Sequence, residues 1–337
     1  MNRIHKKISL FIFVIALLLT MIPNKIQAAS YSNYSIKAIL PKNQIDPNLS
    51  YFDLLIGKNH TQTIEVEITN TGDETMEVSL AINDAFTTNN GVIDYLNQQE
   101  HDKSHFLNVY EVTNIIDNNF YIEAHTTKRS AIEINIPDIS FDGEILGGIV
   151  VRGKTNKALE RSEDSLTIQN DIAYVVGLKM RMNHTPVKQN LNLLKIEEKL
   201  VDHRPAVIAN IQNDQAIIMQ DVAIQGSITK ANHSDTVAEI MFDSKKIAPN
   251  TNFDVVFDFG GKAIANGDYQ MNLVITNGDK KWQWKEDFRI TNADEINKEN
   301  LFKEEHTNWF LIIGTSTLIG LFLGASIILI IKKKQKH

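Results

Sequence analysis

The run 309–331 is 23 residues without a charge, long enough at about 1.5 Å per residue to cross a hydrocarbon core about 30 Å thick. It is expected to be a transmembrane helix. Lys332, Lys333, Lys334 and Lys336 follow at once, whereas Asp294, Glu295, Glu299, Glu304 and Glu305 outnumber Lys298 and Lys303 on the preceding side. That bias sets 332–337 as a cytoplasmic tail. A second apolar run, 8–22, sits behind Arg3, Lys6 and Lys7 and is followed by Ala28 and Ala29. This is the pattern of a cleavable signal peptide over 1–28, the alternative being an uncleaved anchor that crosses twice. The expected topology is a single-pass type I protein of the cell membrane with its N-terminal ectodomain outside. No Leu-Pro-x-Thr-Gly sorting signal precedes the span, so the helix itself is the anchor.

Topology changes how the charge reads. Eight of the 34 Lys and Arg lie in the terminal segments and no acid does, which leaves 26 basic against 41 acidic residues and a net charge near −15 between them. Nucleic acid is excluded as a partner, because phosphate neutralisation needs clustered Lys and Arg. Cysteine is absent, so disulfide frameworks, cysteine–zinc sites and thiol catalysis are excluded together. The ectodomain must be held by burial alone. A cysteine-free exported chain rich in Asn, Lys and Ile, with one C-terminal span, is typical of low-GC Gram-positive bacteria.

About 280 residues exceed the usual size of one core and suggest two domains. Residues 63–69 alternate apolar and polar, as do 76–82, with Asn70-Thr71-Gly72-Asp73 between them; this reads as a hairpin. Further strands read at 34–40, 120–123, 131–136, 145–151 and 172–182. The stretch 96–116 is less regular, a helix or a long loop, and 156–169 is a charged excursion. Asn183-His184-Thr185-Pro186 interrupts the series and places a linker there. A second series reads at 191–201, 206–212, 222–229, 237–242, 253–257, 269–276 and 282–290, with turns at Asn266-Gly267-Asp268 and Asn277-Gly278-Asp279. The expected fold is all-β: two immunoglobulin-like β-sandwich domains, 34–182 and 190–291, then a polar stalk over 292–308.

Four separated motifs carry a resemblance. Tyr34-Ser35-Ile36-Lys37-Ala38-Ile39-Leu40-Pro41-Lys42-Asn43-Gln44, Ser50-Tyr51-Phe52-Asp53-Leu54, Thr88-Asn89-Asn90-Gly91-Val92-Ile93-Asp94-Tyr95 and Phe141-Asp142-Gly143-Glu144-Ile145-Leu146-Gly147-Gly148-Ile149 occur in the order of the WxL-interacting protein family of Gram-positive bacteria. The second series is similar to that family's C-terminal domain at Ile211-Gln212-Asn213, Ile247-Ala248-Pro249-Asn250-Thr251-Asn252-Phe253, Gly267-Asp268-Tyr269 and Trp282-Gln283-Trp284. The resemblance implies a peptidoglycan-binding first domain and a second domain that binds a protein, either a host extracellular molecule or a surface protein carrying a WxL domain. The family's usual Pro-Gly before the Gln-Thr strand is replaced here by Gly57-Lys58-Asn59-His60.

Each candidate ligand contact has a structural alternative. Tyr51, Phe52 and Asp53 offer an aromatic platform with a carboxylate for a sugar, yet neighbours in a strand face opposite ways, so one ring belongs to the core. Asn89 and Asn90 read as a turn or as amide partners for N-acetyl groups. Asp142 belongs to a turn. Gly147 and Gly148 inside a strand mark a close approach, by this fold's own backbone or by a ligand. Trp282 and Trp284 share a face, as core or as recognition anchors. In the apolar run, Ser316, Gly320 and Gly324 recur every fourth residue, a stripe that suits close helix packing.

No catalytic constellation is visible. No Gly-x-Ser-x-Gly occurs, and the paired carboxylates Glu197-Glu198 and Glu304-Glu305 stand in solvated contexts. The ten histidines include no His-x-x-Glu-His, and no paired metal spacing is read among them, so no metal and no cofactor are expected. The function that follows is non-catalytic binding at the cell surface. The alternatives are a chaperone-like module that exchanges strands with secreted partners, or a wall hydrolase.

Overall fold

The computed structural model describes residues 33–96, 100–155, 172–231 and 235–300. In chain order the first part holds β1 (Tyr34–Ile39), β2 (Phe52–Leu55), β3 (His60–Asn70), β4 (Met76–Asp84), β5 (Phe86–Thr87), β6 (Ile93–Asp94), β7 (Thr113–Ile115), β8 (Asn119–Ile122), β9 (Thr127–Ile136), β10 (Ile145–Thr155) and β11 (Ala173–Arg181). One sheet runs β1-β3-β9-β7 and the other β2-β11-β10-β4-β8. The alternation in β3 has the expected consequence: Ile64, Val66 and Ile68 are buried and face Val78, Ile149, Leu178 and Met180 of the opposite sheet in one core. Each fully buried side chain of this kind contributes about 1.5–3 kcal/mol.

The expected hairpin at 70–73 is not one. β3 pairs with β1 and β9, and β4 pairs with β10 and β8, so Asn70 to Asp73 carry the chain across the core from one sheet to the other. Alternation reports a strand with one buried face and says nothing about its neighbour. What fixes the corner is the Asn70 side chain, fully buried, whose amide donates to the carbonyls of Glu74 at 2.7 Å and Ile122 at 3.1 Å. Its oxygen accepts the Gly72 N–H at 2.9 Å. The irregular stretch after β6 holds a short 3-10 turn at Val109–Glu111 and the edge strand β7.

The second sandwich follows with β12 (Asn192–Val201), β13 (Arg204–Asn213), β14 (Met219–Lys230), β15 (Thr236–Ile247), β16 (Thr251–Asp258), β17 (Gly267–Asn277) and β18 (Lys280–Ile290). Its sheets run β12-β13-β16 and β15-β14-β17-β18. Their inner faces share Val207, Ile211, Val222, Ile228, Val255, Phe257, Leu273 and Ile275. Asp202 and His203, both in the left-handed region, make the tight turn between β12 and β13.

The segment expected to be a stalk starts differently. Residues Ala293–Glu299 form a helix, α1, whose Ala293 and Ile296 are buried against the second core. Asn297 holds it by exchanging hydrogen bonds with the backbone of Ile264 at 2.8 and 3.0 Å. Polar composition concealed this docking because only two residues of the helix face the core. Among the described residues no helix is long and apolar enough to cross a membrane. The signal at 1–28, the excursion at 156–169, the apolar run at 309–331 with Ser316, Gly320 and Gly324, and the lysine tail lie outside the described residues.

Candidate functional site

The two sandwiches meet along a mostly polar junction. On one side the turn at Asp142-Gly143 leads into β10, and the Glu144 N–H donates to the Ala216 carbonyl at 2.7 Å. Gly143 has φ +90°, and a Cβ there would sit 2.1 Å from that same carbonyl, so only glycine fits. The Glu144 carboxylate accepts from the Ile218 N–H and pairs with Arg181 at 3.2 Å, drawing a charge cluster to the seam. That cluster contains Asp53, which meets Lys179 at 2.9 Å and Arg181 at 3.2 Å with only 6 % of its side chain exposed.

A second contact comes from β5, β6 and their turn. Thr87 Oγ1 lies 2.8 Å from Thr251 Oγ1 and accepts the Ala248 N–H at 2.9 Å, both inside the seam. The Gly91 carbonyl accepts the Lys246 N–H, and the Asn89 amide oxygen accepts the Asp254 N–H. Between these contacts stands Asp102. Its carboxylate accepts from Ser104 N at 2.8 Å, from Gln212 Nε2 and from Asn252 Nδ2 at 2.7 Å each, the last two from the second sandwich. Burial pushes the Asp102 carboxyl up, but these donors outweigh it and hold the group below the ordinary aspartate value.

Beside Asp102 opens a cavity of about 280 Å³, lined by Asp84, His101, His105 and Tyr110 from the first sandwich and by Asn250, Thr251 and Asn252 from the second. The turn from His101 to His105, closed by the Asp102 carbonyl and the His105 N–H at 2.9 Å, stacks the two imidazoles with centroids 4.5 Å apart. Tyr110 extends the stack against His101 at 6.3 Å. At the end of β4, Asp84 places Oδ2 at 3.1 Å from His101 Nε2, while its Oδ1 accepts the Val109 N–H at 2.6 Å. Burial raises the Asp84 carboxyl above its ordinary value and lowers the His105 imidazole below its own.

This group was missed from sequence. His101 and His105 are four apart, which contradicts the reading that the histidines hold no paired spacing, and Asp84 is supplied from a strand 17 positions earlier. The His-x-x-x-His pair was the available signal; it lies in a turn, where no helical face advertised it.

The sequence-derived contacts scatter. Phe52 is fully buried in the first core, which leaves it no surface for a ligand, and Asp53 is committed to Lys179 and Arg181. Tyr51 is half-buried and packs over Gly177. Gly147 and Gly148 are approached by this fold itself: a Cβ on Gly147 would meet Val109 at 2.9 Å, and one on Gly148 would meet the Tyr95 ring at 2.7 Å. Burial, with Tyr51 and Asp94 nearby, pushes the Tyr95 phenol up to about 12. Asn89 faces the second sandwich, Asn90 is exposed beside it, and Asp142 accepts from Asn183 at 2.8 Å. Trp282 and Trp284 are half-buried opposite Ile275 and Leu273 and pack on the second core.

Solved structures of similar shape include the YadV chaperone (13 % identity over 77 % of this chain and all of that one, TM-score 0.30) and a Salmonella enterica SafA pilin–SafB chaperone complex (11 %, 76 % and 98 %, TM-score 0.32). A third is the E. coli chaperone DraB (13 %, 77 % and 97 %, TM-score 0.29). Likenesses this distant carry no functional argument. No curated protein matches the chain. Family models do match: residues 34–153 fit the WxL Interacting Protein, peptidoglycan binding domain, and 163–299 fit the WxL Interacting Protein, host binding domain. β11 lies within the second matched range yet pairs with β10 and β2 of the first sandwich. With the two domains matched in the expected order, over 34–153 and 163–299, the chain belongs to the WxL Interacting Protein family.

Proposed function

We propose that this protein is a membrane-anchored, non-catalytic surface protein that holds peptidoglycan through its first sandwich and a protein through its second. That protein is a WxL-domain partner or a host molecule. The observation that carries the reading is the order of the two matched domains, a peptidoglycan binding domain followed by a host binding domain. The extensive junction supports it, since a tether between wall and partner must hold its two ends in register. The lysine-flanked apolar run supports the anchor.

With a net charge near −15 over the exported residues, attraction to the wall rests on hydrogen bonds and stacking rather than on Coulomb steering. Affinity per site is in the millimolar to micromolar range, about −4 to −8 kcal/mol, and many copies on one cell raise it by avidity. Sedimentation of residues 29–308 with insoluble peptidoglycan at low and high salt tests this, with turbidity followed in parallel. Co-sedimentation that survives moderate salt without clearing is the expected result. Protein left wholly in the supernatant would overturn the binding claim, and clearing of the suspension would reveal an enzyme.

A further inference from the structure

We propose that Asp84, His101 and His105 form a binding site for one divalent transition-metal ion of the zinc class at the domain junction. The three side chains each offer one ligand atom, and these atoms lie within 4.8 Å of one another. Zinc holds imidazole nitrogens and carboxylate oxygens at about 2.0–2.2 Å, which sets neighbouring ligand atoms of a tetrahedron roughly 3.3 Å apart. Asp84 Oδ2 and His101 Nε2 already stand at 3.1 Å, while the imidazoles, stacked 10° from parallel, must swing out of that stack to turn one nitrogen of each onto a shared ion.

Two further observations aim the group at a ligand. The Val109 N–H fixes Asp84 Oδ1, so the other oxygen is turned toward the histidines by the backbone of this fold. His105 Nε2 is buried and has no hydrogen-bond partner, a rare condition for a polar atom unless something binds it. Among the described residues no other three His, Cys, Asp or Glu side chains gather so closely. Two imidazoles and one carboxylate favour zinc and its first-row neighbours over calcium and magnesium, which take all-oxygen shells. The remaining coordination position opens into the cavity shared with Asn250 and Asn252.

Such an ion would fix the turn 101–105, and that turn carries Asp102, which receives Gln212 and Asn252 from the second sandwich. Metal occupancy would thereby tighten the seam. The test is isothermal titration of ZnCl2 into the chelator-stripped full-length chain in detergent, with a Co2+ absorption spectrum and thermal unfolding read alongside. One ion per chain at micromolar affinity or tighter is expected, with tetrahedral Co2+ bands, a zinc-dependent rise in Tm and no competition from Ca2+ or Mg2+. His101→Ala is chosen because that ring is 40 % exposed and its loss leaves the core intact. It should weaken zinc at least tenfold and abolish the Tm rise, as should Asp84→Asn, while His125→Ala at the surface changes neither. Absence of stoichiometric binding, or binding that His101→Ala and Asp84→Asn leave unchanged, would overturn the site.

Discussion

Asn70 and Asn213 close the same corner in the two sandwiches. Each is fully buried, each accepts an N–H two residues on, and each donates to the carbonyl four residues on: Gly72 and Glu74 for Asn70, Gln215 and Ile217 for Asn213. Each also reaches a carbonyl far along the chain, Ile122 or Ala248. The same side chain therefore carries the chain between sheets in both domains and satisfies backbone groups that no ladder can reach.

Asn70→Ala should strand two or three buried carbonyls, at about 1–3 kcal/mol for the group, and lower the Tm of the first sandwich by roughly 5–10 °C. Asn213→Ala should do the same to the second. Calorimetry reads both, and an unchanged Tm in either variant would deny the corner its role.

Gly143→Val forces a side chain into the Ala216 carbonyl in a backbone conformation that only glycine tolerates. Both cores should remain folded while the seam opens. Solution scattering should show a larger radius of gyration, and protease should cut faster within 183–190. Gly57→Ala, at a position with nothing within 4 Å, should match the wild type in both.

Asp53→Ala removes the buried partner of Lys179 and Arg181 and leaves Glu144 to face two cations. The expected loss is about 3–5 kcal/mol, read as a drop in the urea midpoint. Adding Arg181→Met should recover part of it, because an apolar side chain needs no counter-charge.

Glu198 accepts the N–H groups of Thr291 at 3.0 Å and Asn292 at 3.2 Å, just before α1. Burial would raise its carboxyl, but these donors win and hold it below the ordinary glutamate value. A depressed carboxyl stabilises the fold fully well above about pH 4.3 and loses that contribution as the pH falls through and below this value. Glu198→Gln should therefore lower the Tm at pH 7 and leave it nearer the wild type at pH 3. A constant gap across that range would show that the charge is irrelevant.

If residues 29–308 are exported, protease added to intact cells should remove them and spare the lysine tail, and N-terminal sequencing should begin near Ala29. An intact chain after such treatment would overturn the proposed topology.

Most strand positions were legible in the sequence, because one wet face and one dry face impose period two on residues such as Ile64, Val66 and Ile68. So were the two-domain order and the family, which rest on linear motifs. Pairing was not legible: 63–69 and 76–82 look like a hairpin, and only the buried Asn70 amide shows why they lie in opposite sheets. The site resisted for the same reason. Phe52 and Asp53 looked like a platform because sequence does not report which face a side chain occupies, and Asp84, His101 and His105 are joined by a turn and a strand end rather than by a motif. Local alternation and composition are set residue by residue, so the sequence alone determined the all-β character and the absence of disulfides. Which strands meet, which polar groups are buried, and which carboxylate faces which imidazole depend on contacts between distant segments, and only the tertiary structure decided them.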